Sequence, residues 1–270
     1  MKLAILSEVH ANVEALKATL DDIAAHAVDR IVCLGDIVGY NTRPRECIAL
    51  LRDAGAECVA GNHDRAVAGQ ITTEEFSWTA ARAVAWTRKR LRADEIAFLA
   101  GLPLKANIGN KLLAVHGALH LDAGCETARL DTDARIALSM AALISHPSGA
   151  RICAFGHTHE LAIYERRSGK TVLLPDDAIE LRRDSYYLIN PGAVGEPRSA
   201  DRRASYMLLD LSQRTLSVHR VAYDVTVPLA ATRNAGLAPR GRFLPARLRS
   251  AIGKGLAAVR ARRPSKRAAR

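Results

Sequence analysis

Five times in this chain an apolar run of strand length stops at a loop carrying imidazole, carboxylate or carboxamide side chains. Residues 3–6 run into Glu8-Val9-His10, 30–34 into Gly35-Asp36, and 58–60 into Gly61-Asn62-His63-Asp64. Residues 112–115 run into His116-Gly117, and 152–155 into Gly156-His157-Thr158-His159. A short run that is apolar almost throughout suits a strand buried within a layered sheet. Between the first runs the period changes: Val13, Leu16, Leu20 and Ile23 share one face of 12–25, and 43–54 and 74–99 are also helical in pattern. Thr72 or Thr73 is the N-cap candidate of the last segment, with glutamates in its first turn. Strand, helix, strand in that order opens an α/β fold. Further runs at 161–165, 171–174, 186–189, 205–210 and 216–222 make the second half richer in strands and partly antiparallel.

The formal charge of +11 over 270 residues is unevenly placed. From Val225 onward there are twelve Lys and Arg and no Asp or Glu, which leaves 27 basic against 28 acidic residues in 1–224. This predicts a near-neutral folded domain at 1–224 and a basic tail at 225–270. In the tail Leu244, Leu248, Ile252, Leu256 and Val259 form an apolar line among arginines, which reads as a basic amphipathic helix with a disordered end. Its expected partners are anionic, either nucleic acid bound nonspecifically or a membrane surface. Five cysteines, odd in number and without CxxC spacing, argue against a disulfide framework. No run reaches the roughly 18 apolar residues of a membrane span, and no signal-peptide pattern opens the chain, so a cytoplasmic location is expected.

In open α/β sheets ligands bind beyond the carboxyl ends of the strands, so loops far apart in sequence can converge there. The residues that would converge are imidazoles, carboxylates and one amide, a nitrogen and oxygen set suited to Mn, Fe, Zn or Ni. Taken singly, Gly-Asp reads as a turn, Asn-His-Asp as loop polarity and His116 as a satisfied core histidine. Five such motifs in one order, all at strand ends, point instead to a metal site.

These motifs resemble the calcineurin-like metallophosphoesterases, in particular their small bacterial and archaeal phosphodiesterase-like group, over roughly residues 1–222. The resemblance implies a four-layer α/β architecture, a two-sheet β-sandwich flanked by helices. It also implies two divalent transition ions, manganese first and iron, zinc or nickel as alternatives. Glu8, His10, Asp36 and His159 would hold one ion; Asp36, Asn62, His116 and His157 the other, with Asp36 bridging. His63 would stabilise phosphoryl oxygens or protonate the leaving group, and Asp64 would orient its imidazole. Relatives carry Asp where this chain has Glu8, an arm longer by roughly 1.5 Å, and commonly Gly where it has Ala11. The stretch 190–198 resembles the glycine-rich loop beside the family's site, and Arg198, Tyr40 and Arg65 are candidate substrate contacts. Trp78 and Trp86, eight residues apart in one helical pattern, read as core.

The implied activity is hydrolysis of a small-molecule or nucleotide phosphodiester by a hydroxide activated at the dinuclear centre. A phosphomonoesterase or protein phosphatase is the alternative within enzymes. From a different class comes a metal-binding adaptor, impaired at Glu8, that works through its tail on nucleic acid or membrane.

Overall fold

The computed structural model describes residues 1–175 and 178–237. The chain opens with β1 (Lys2–Leu6), α1 (Val13–Ala24), β2 (Arg30–Cys33), α2 (Pro44–Asp53), β3 (Glu57–Cys58) and α3 (Asn62–Ala68). Then come α4 (Trp78–Arg88), α5 (Ala93–Ala100), β4 (Lys105–Ile108), β5 (Leu112–Val115), α6 (Asp133–Ile144) and β6 (Ile152–Ala154). The rest is mostly strand: β7 (Leu161–Arg167), β8 (Lys170–Leu173), β9 (Ile179–Glu180), β10 (Tyr186–Pro191), β11 (Ala204–Asp210) and β12 (Thr215–Val221), followed by α7 (Thr226–Asn234).

The strands form two six-stranded mixed sheets, ordered β3-β2-β1-β11-β12-β9 and β4-β5-β6-β10-β7-β8. In the first, β1, β2 and β3 are parallel and β11 runs against β1; in the second, β5, β6 and β10 are parallel. Alternate residues of each central strand face opposite ways. Leu3 and Ile5 of β1, with Leu112 and Ala114 of β5 and Ile189 of β10, fill the layer between the sheets. Ala4 and Leu6 pack under α1 and α2, while Leu113 and Val115 pack under Ile136, Met140 and Leu143 of α6. Both faces of these strands are covered, which is why their sequences carry apolar runs rather than alternation. Helices outside two stacked sheets make the four-layer sandwich, and the parallel strands of both sheets end at one pole.

Local chemistry departs from the sequence pattern in four places. The helical segment 74–99 is two helices, because the Arg92 amide donates to Glu95 Oε2 at 2.8 Å and starts α5 with its own cap. Helix α6 lies in a stretch to which the sequence pattern assigned no element, although Thr132 caps it and Ile136, Met140 and Leu143 are spaced along one face. Trp78 is 63% exposed, with Arg82 over its ring, so it is not core. The described start of the expected tail is docked rather than free: α7 packs on α1, burying Pro228 and Thr232. Thr232 Oγ1 donates to Asn41 Oδ1 at 3.0 Å, and Asn41 Nδ2 donates in turn to the His10 carbonyl at 3.0 Å. The amphipathic line from Leu244 to Val259 lies outside the described residues.

Truncation after residue 237 keeps the whole of α7 and serves as the reference. Truncation after 224 removes α7 and is expected to lower the melting temperature by roughly 5–10 °C, from ~2–4 kcal/mol of lost burial and hydrogen bonding. Thermal melts of the two truncated chains check this.

Candidate metal centre

The strand ends deliver their side chains through strained backbone. Glu8, His10, Ala11, Asp36, Tyr40, His157 and His159 all have φ between 48° and 64°, the left-handed region that residues with a Cβ avoid. Each such residue costs about 1–3 kcal/mol and persists only where the surroundings enforce it. Here the enforcement is visible: the His10 and Ala11 amides donate to the Asp36 and Ile37 carbonyls at 2.8 and 2.9 Å, locking the loop after β1 onto the loop after β2.

The side chains collect into two groups. In the first, Glu8 Oε2 lies 3.0 Å from both His10 Nε2 and His159 Nε2, and those nitrogens lie 3.3 Å apart. In the second, His116 Nε2 lies 3.1 Å from Asn62 Oδ1 and 3.2 Å from His157 Nδ1. Asp36 Oδ2 stands between them, 3.5 Å from His10 Nε2 and 3.5 Å from His116 Nε2. The other Asp36 oxygen accepts from the His63 amide at 2.9 Å, which fixes the carboxylate's orientation.

Three imidazoles are aimed by their second nitrogen. His10, His116 and His159 each place Nδ1 against a backbone carbonyl, of Val38, Leu34 and Glu196, at 3.1, 2.7 and 2.7 Å. A carbonyl only accepts, so Nδ1 carries the proton and the Nε2 lone pair faces the cluster, the arrangement metal-binding histidines adopt.

Glu8 divides its two oxygens between the loop and the cluster. Its Oε1 accepts from Ser7 Oγ at 3.0 Å and from the His157 amide at 2.6 Å, leaving Oε2 alone to reach the first group. Gly156 makes this possible, because a Cβ there would run into Ser7 Oγ and stand 2.8 Å from Glu8 Oε1. The stretch 190–198 closes the back of the site: the Gly195 amide donates to the Glu8 carbonyl at 2.8 Å, and a Cβ on Gly195 would collide with the Val9 carbonyl.

Burial decides the charge states. It holds the His63, His116 and His157 imidazoles below their usual range and takes His159 down to about 3. Burial alone would raise the Glu8 carboxyl, but His159, His116 and His10 around it outweigh that and keep it well below the carboxylate range. Asp36 is pushed the other way, by burial and then by the neighbouring Glu8 and Asp64 carboxylates. Neutral imidazoles, an amide oxygen and crowded carboxylates, with no thiolate, are a donor set that divalent transition ions fit, since a cation relieves the crowding.

Above the cluster lies a cavity of about 280 Å³, bordered by Tyr40, His63, Phe76, Arg129 and Arg198. Tyr40 stands edge-on to His10 with ring centroids 4.7 Å apart. His63 Nδ1 is buried without a hydrogen-bond partner. Two expected contacts turn elsewhere. Arg65 does not border the cavity; its guanidinium donates to Glu126 at 2.6 Å and to Gln70 at 3.3 Å. Asp64 does not orient His63, because its oxygens accept from the Val38 and Gly61 amides at 3.1 and 3.0 Å, where it caps α3. Phe76 and Arg129 were not singled out by the sequence, since neither belongs to a motif. Arg129 is positioned by Asp131 at 3.3 Å and by the His157 carbonyl at 3.4 Å.

A two-sheet sandwich with histidine and carboxylate donors gathered at its strand ends is the architecture of a metallophosphoesterase. The chain belongs to the calcineurin-like phosphoesterase superfamily, whose domain matches residues 1–214. It is 35% identical over 226 residues to an uncharacterised protein of Methanocaldococcus jannaschii, covering 83% of this chain and 88% of the relative. Among solved structures it is similar to a metallophosphoesterase from Sphaerobacter thermophilus, 35% identical with a TM-score of 0.72, over 88% of this chain and 95% of that one. A hypothetical protein from Pyrococcus horikoshii OT3, 18% identical, shares the fold at a TM-score of 0.68, over 88% of this chain and 94% of that one. Membership makes the chain a phosphoesterase-type hydrolase of a family that binds divalent metals. No helix among the described residues is long and apolar enough to cross a membrane.

Proposed function

We propose that this chain hydrolyses a small or nucleotide phosphodiester at a dinuclear centre held by Glu8, His10, Asp36 and His159 on one side and Asp36, Asn62, His116 and His157 on the other. The observation that carries the reading is Asp36 Oδ2, equally far, at 3.5 Å, from a nitrogen of each group and therefore placed to serve both. Two divalent ions, manganese first, would supply Lewis acidity to the phosphoryl group and to the attacking water. Arg129 and Arg198, on the cavity wall, would bind phosphoryl oxygens through paired N–H groups. His63, on the cavity wall, would hydrogen-bond the departing alcohol oxygen or a phosphoryl oxygen, while its Nδ1 is buried beside Gly39. Tyr40 would hold the His10 and His63 rings apart from solvent.

The adaptor reading is disfavoured by Glu8, whose Oε2 keeps ligand distance to two imidazoles.

The test is hydrolysis of an aryl phosphodiester and the matching monoester with Mn²⁺, with and without chelator. We expect chelator-sensitive turnover with the diester preferred; preference for the monoester would make the enzyme a phosphatase. His63→Ala is expected to lower kcat by about 10²–10⁴-fold with bound metal unchanged, as metal analysis of the same sample would show.

A further inference from the structure

A second group of ligating side chains lies outside the cavity and outside every sequence motif. Asp22 sits in the last turn of α1, His26 two residues beyond that helix, and His219 on the neighbouring strand β12. Asp22 Oδ2 is 3.8 Å from His26 Nε2 and 3.8 Å from His219 Nδ1, and the three ligand atoms all lie within 4.8 Å of one another. The two imidazoles stand edge to face, with centroids 4.7 Å apart. We propose that Asp22, His26 and His219 form a further metal site, specific for a borderline transition ion of the Zn²⁺ class, with water filling the open positions.

Three observations carry this beyond a chance meeting of polar groups. First, the donors approach the spacing of a bound ion. Zinc bonds of about 2.0–2.1 Å in a tetrahedron place donors roughly 3.3–3.5 Å apart; the two Asp22–imidazole separations of 3.8 Å need to close by a few tenths of an ångström, and the two imidazole nitrogens lie within 4.8 Å of each other. The side chains are 24–39% exposed, which leaves room for that adjustment and an entry path from solvent.

Second, the donors are held from behind as metal ligands are. Ser217 Oγ lies 3.1 Å from His219 Nε2, so that nitrogen takes the outer hydrogen bond and Nδ1 faces Asp22. Tyr206 donates its hydroxyl to Asp22 Oδ2 at 2.6 Å, and its ring stacks on His219 at 4.9 Å, so one buried residue positions two of the three ligands. Lys2 Nζ donates to the His26 carbonyl at 2.8 Å and pins the chain where it leaves α1.

Third, the chemistry is selective. Two imidazoles and one carboxylate suit zinc, nickel or copper and are a poor match for magnesium or calcium, which take all-oxygen shells.

The site is remote from the catalytic cluster. The other end of α1 begins at Asn12, which reaches the Gly195 carbonyl behind the catalytic loops. Twelve helical residues separate the two ends by about 18 Å. An ion at Asp22 would therefore tie the far end of α1 to β12 and stabilise the fold without entering the reaction.

The experiment counts Zn²⁺ by equilibrium dialysis on the full chain, in the native protein and in His26→Ala and His219→Ala. Each variant is expected to bind one ion fewer than the native protein, to lose part of the zinc-induced rise in melting temperature, and to retain phosphoester turnover. Tyr206→Phe is expected to keep the ion with about 10-fold weaker affinity. His26 lies beyond the helix end at a solvent-facing position, so its variant guards against a folding failure in His219→Ala. Equal zinc counts in the native protein and both variants would overturn the proposal. The readout is a difference of one ion, so it stands or falls whether or not the catalytic cluster loads.

Discussion

Asp36→Asn is expected to lower kcat/KM for an aryl phosphodiester by at least about 10³-fold, or ~4 kcal/mol of transition-state stabilisation, and to release bound metal. The substitution is isosteric, and the reason for so large an effect is orientation. The His63 amide donates to Asp36 Oδ1 at 2.9 Å, so an asparagine must keep its carbonyl oxygen there to accept that bond. Its NH₂ group then falls where Oδ2 stands, between His10 Nε2 and His116 Nε2, and presents hydrogens where a shared ligand is needed. A charge is lost from both halves of the cluster at once. Stability should move the other way in metal-free protein. Asp36 is a buried carboxyl raised by burial and by Glu8 and Asp64, and replacing it removes that repulsion. Metal-free Asp36→Asn should thus melt above metal-free native protein while being inactive. A variant that is inactive but less stable would mean that Asp36 serves folding instead.

Glu8→Asp is expected to weaken metal binding about 10–100-fold, although aspartate is the residue that the family resemblance implies there. In this chain Glu8 is built into its surroundings by Ser7 Oγ, the His157 amide and the space left by Gly156. An aspartate is roughly 1.5 Å shorter: it either keeps those two bonds and withdraws from His10 and His159, or reaches them and leaves the His157 amide unpaired. Turnover against Mn²⁺ concentration separates affinity from chemistry. The expected result is a right-shifted curve that recovers most of the native kcat at saturating metal. Gain of metal affinity in the variant would show Glu8 to be an impairment.

The fold and most of the cluster were legible because both rest on short-range patterns. Strands covered on two faces must be apolar along their length, so β1, β5 and β6 announce themselves, and donors at their ends follow directly in sequence. What stayed hidden depends on three dimensions. Nothing in the sequence marks Glu8, His10, Asp36 or His159 as left-handed, because that conformation is imposed by loop-to-loop hydrogen bonds that residues with a Cβ ordinarily resist. The family resemblance made Asp64 the partner of His63, yet residues next to each other at a helix start point apart, and its carboxylate is taken up by amides. Arg65 was assigned by its closeness to a ligand motif, and Glu126, sixty-one residues away, claims it. Arg129 and Phe76 reach the cavity from segments without motif or strong period. The docking of α7 includes a hydroxyl, Thr232, meeting a loop asparagine 191 residues away, which composition cannot reveal.

The central claim, that Asp36 joins two donor groups into one hydrolytic centre, is tested most directly by electron paramagnetic resonance of Mn²⁺-loaded protein, with turnover measured on the same sample. The account predicts a spin-coupled signal from paired ions in the native protein, together with diester hydrolysis, and loss of both in Asp36→Asn. Signals from isolated ions alone in a native sample that turns over, or a coupled signal that survives in Asp36→Asn, would contradict it.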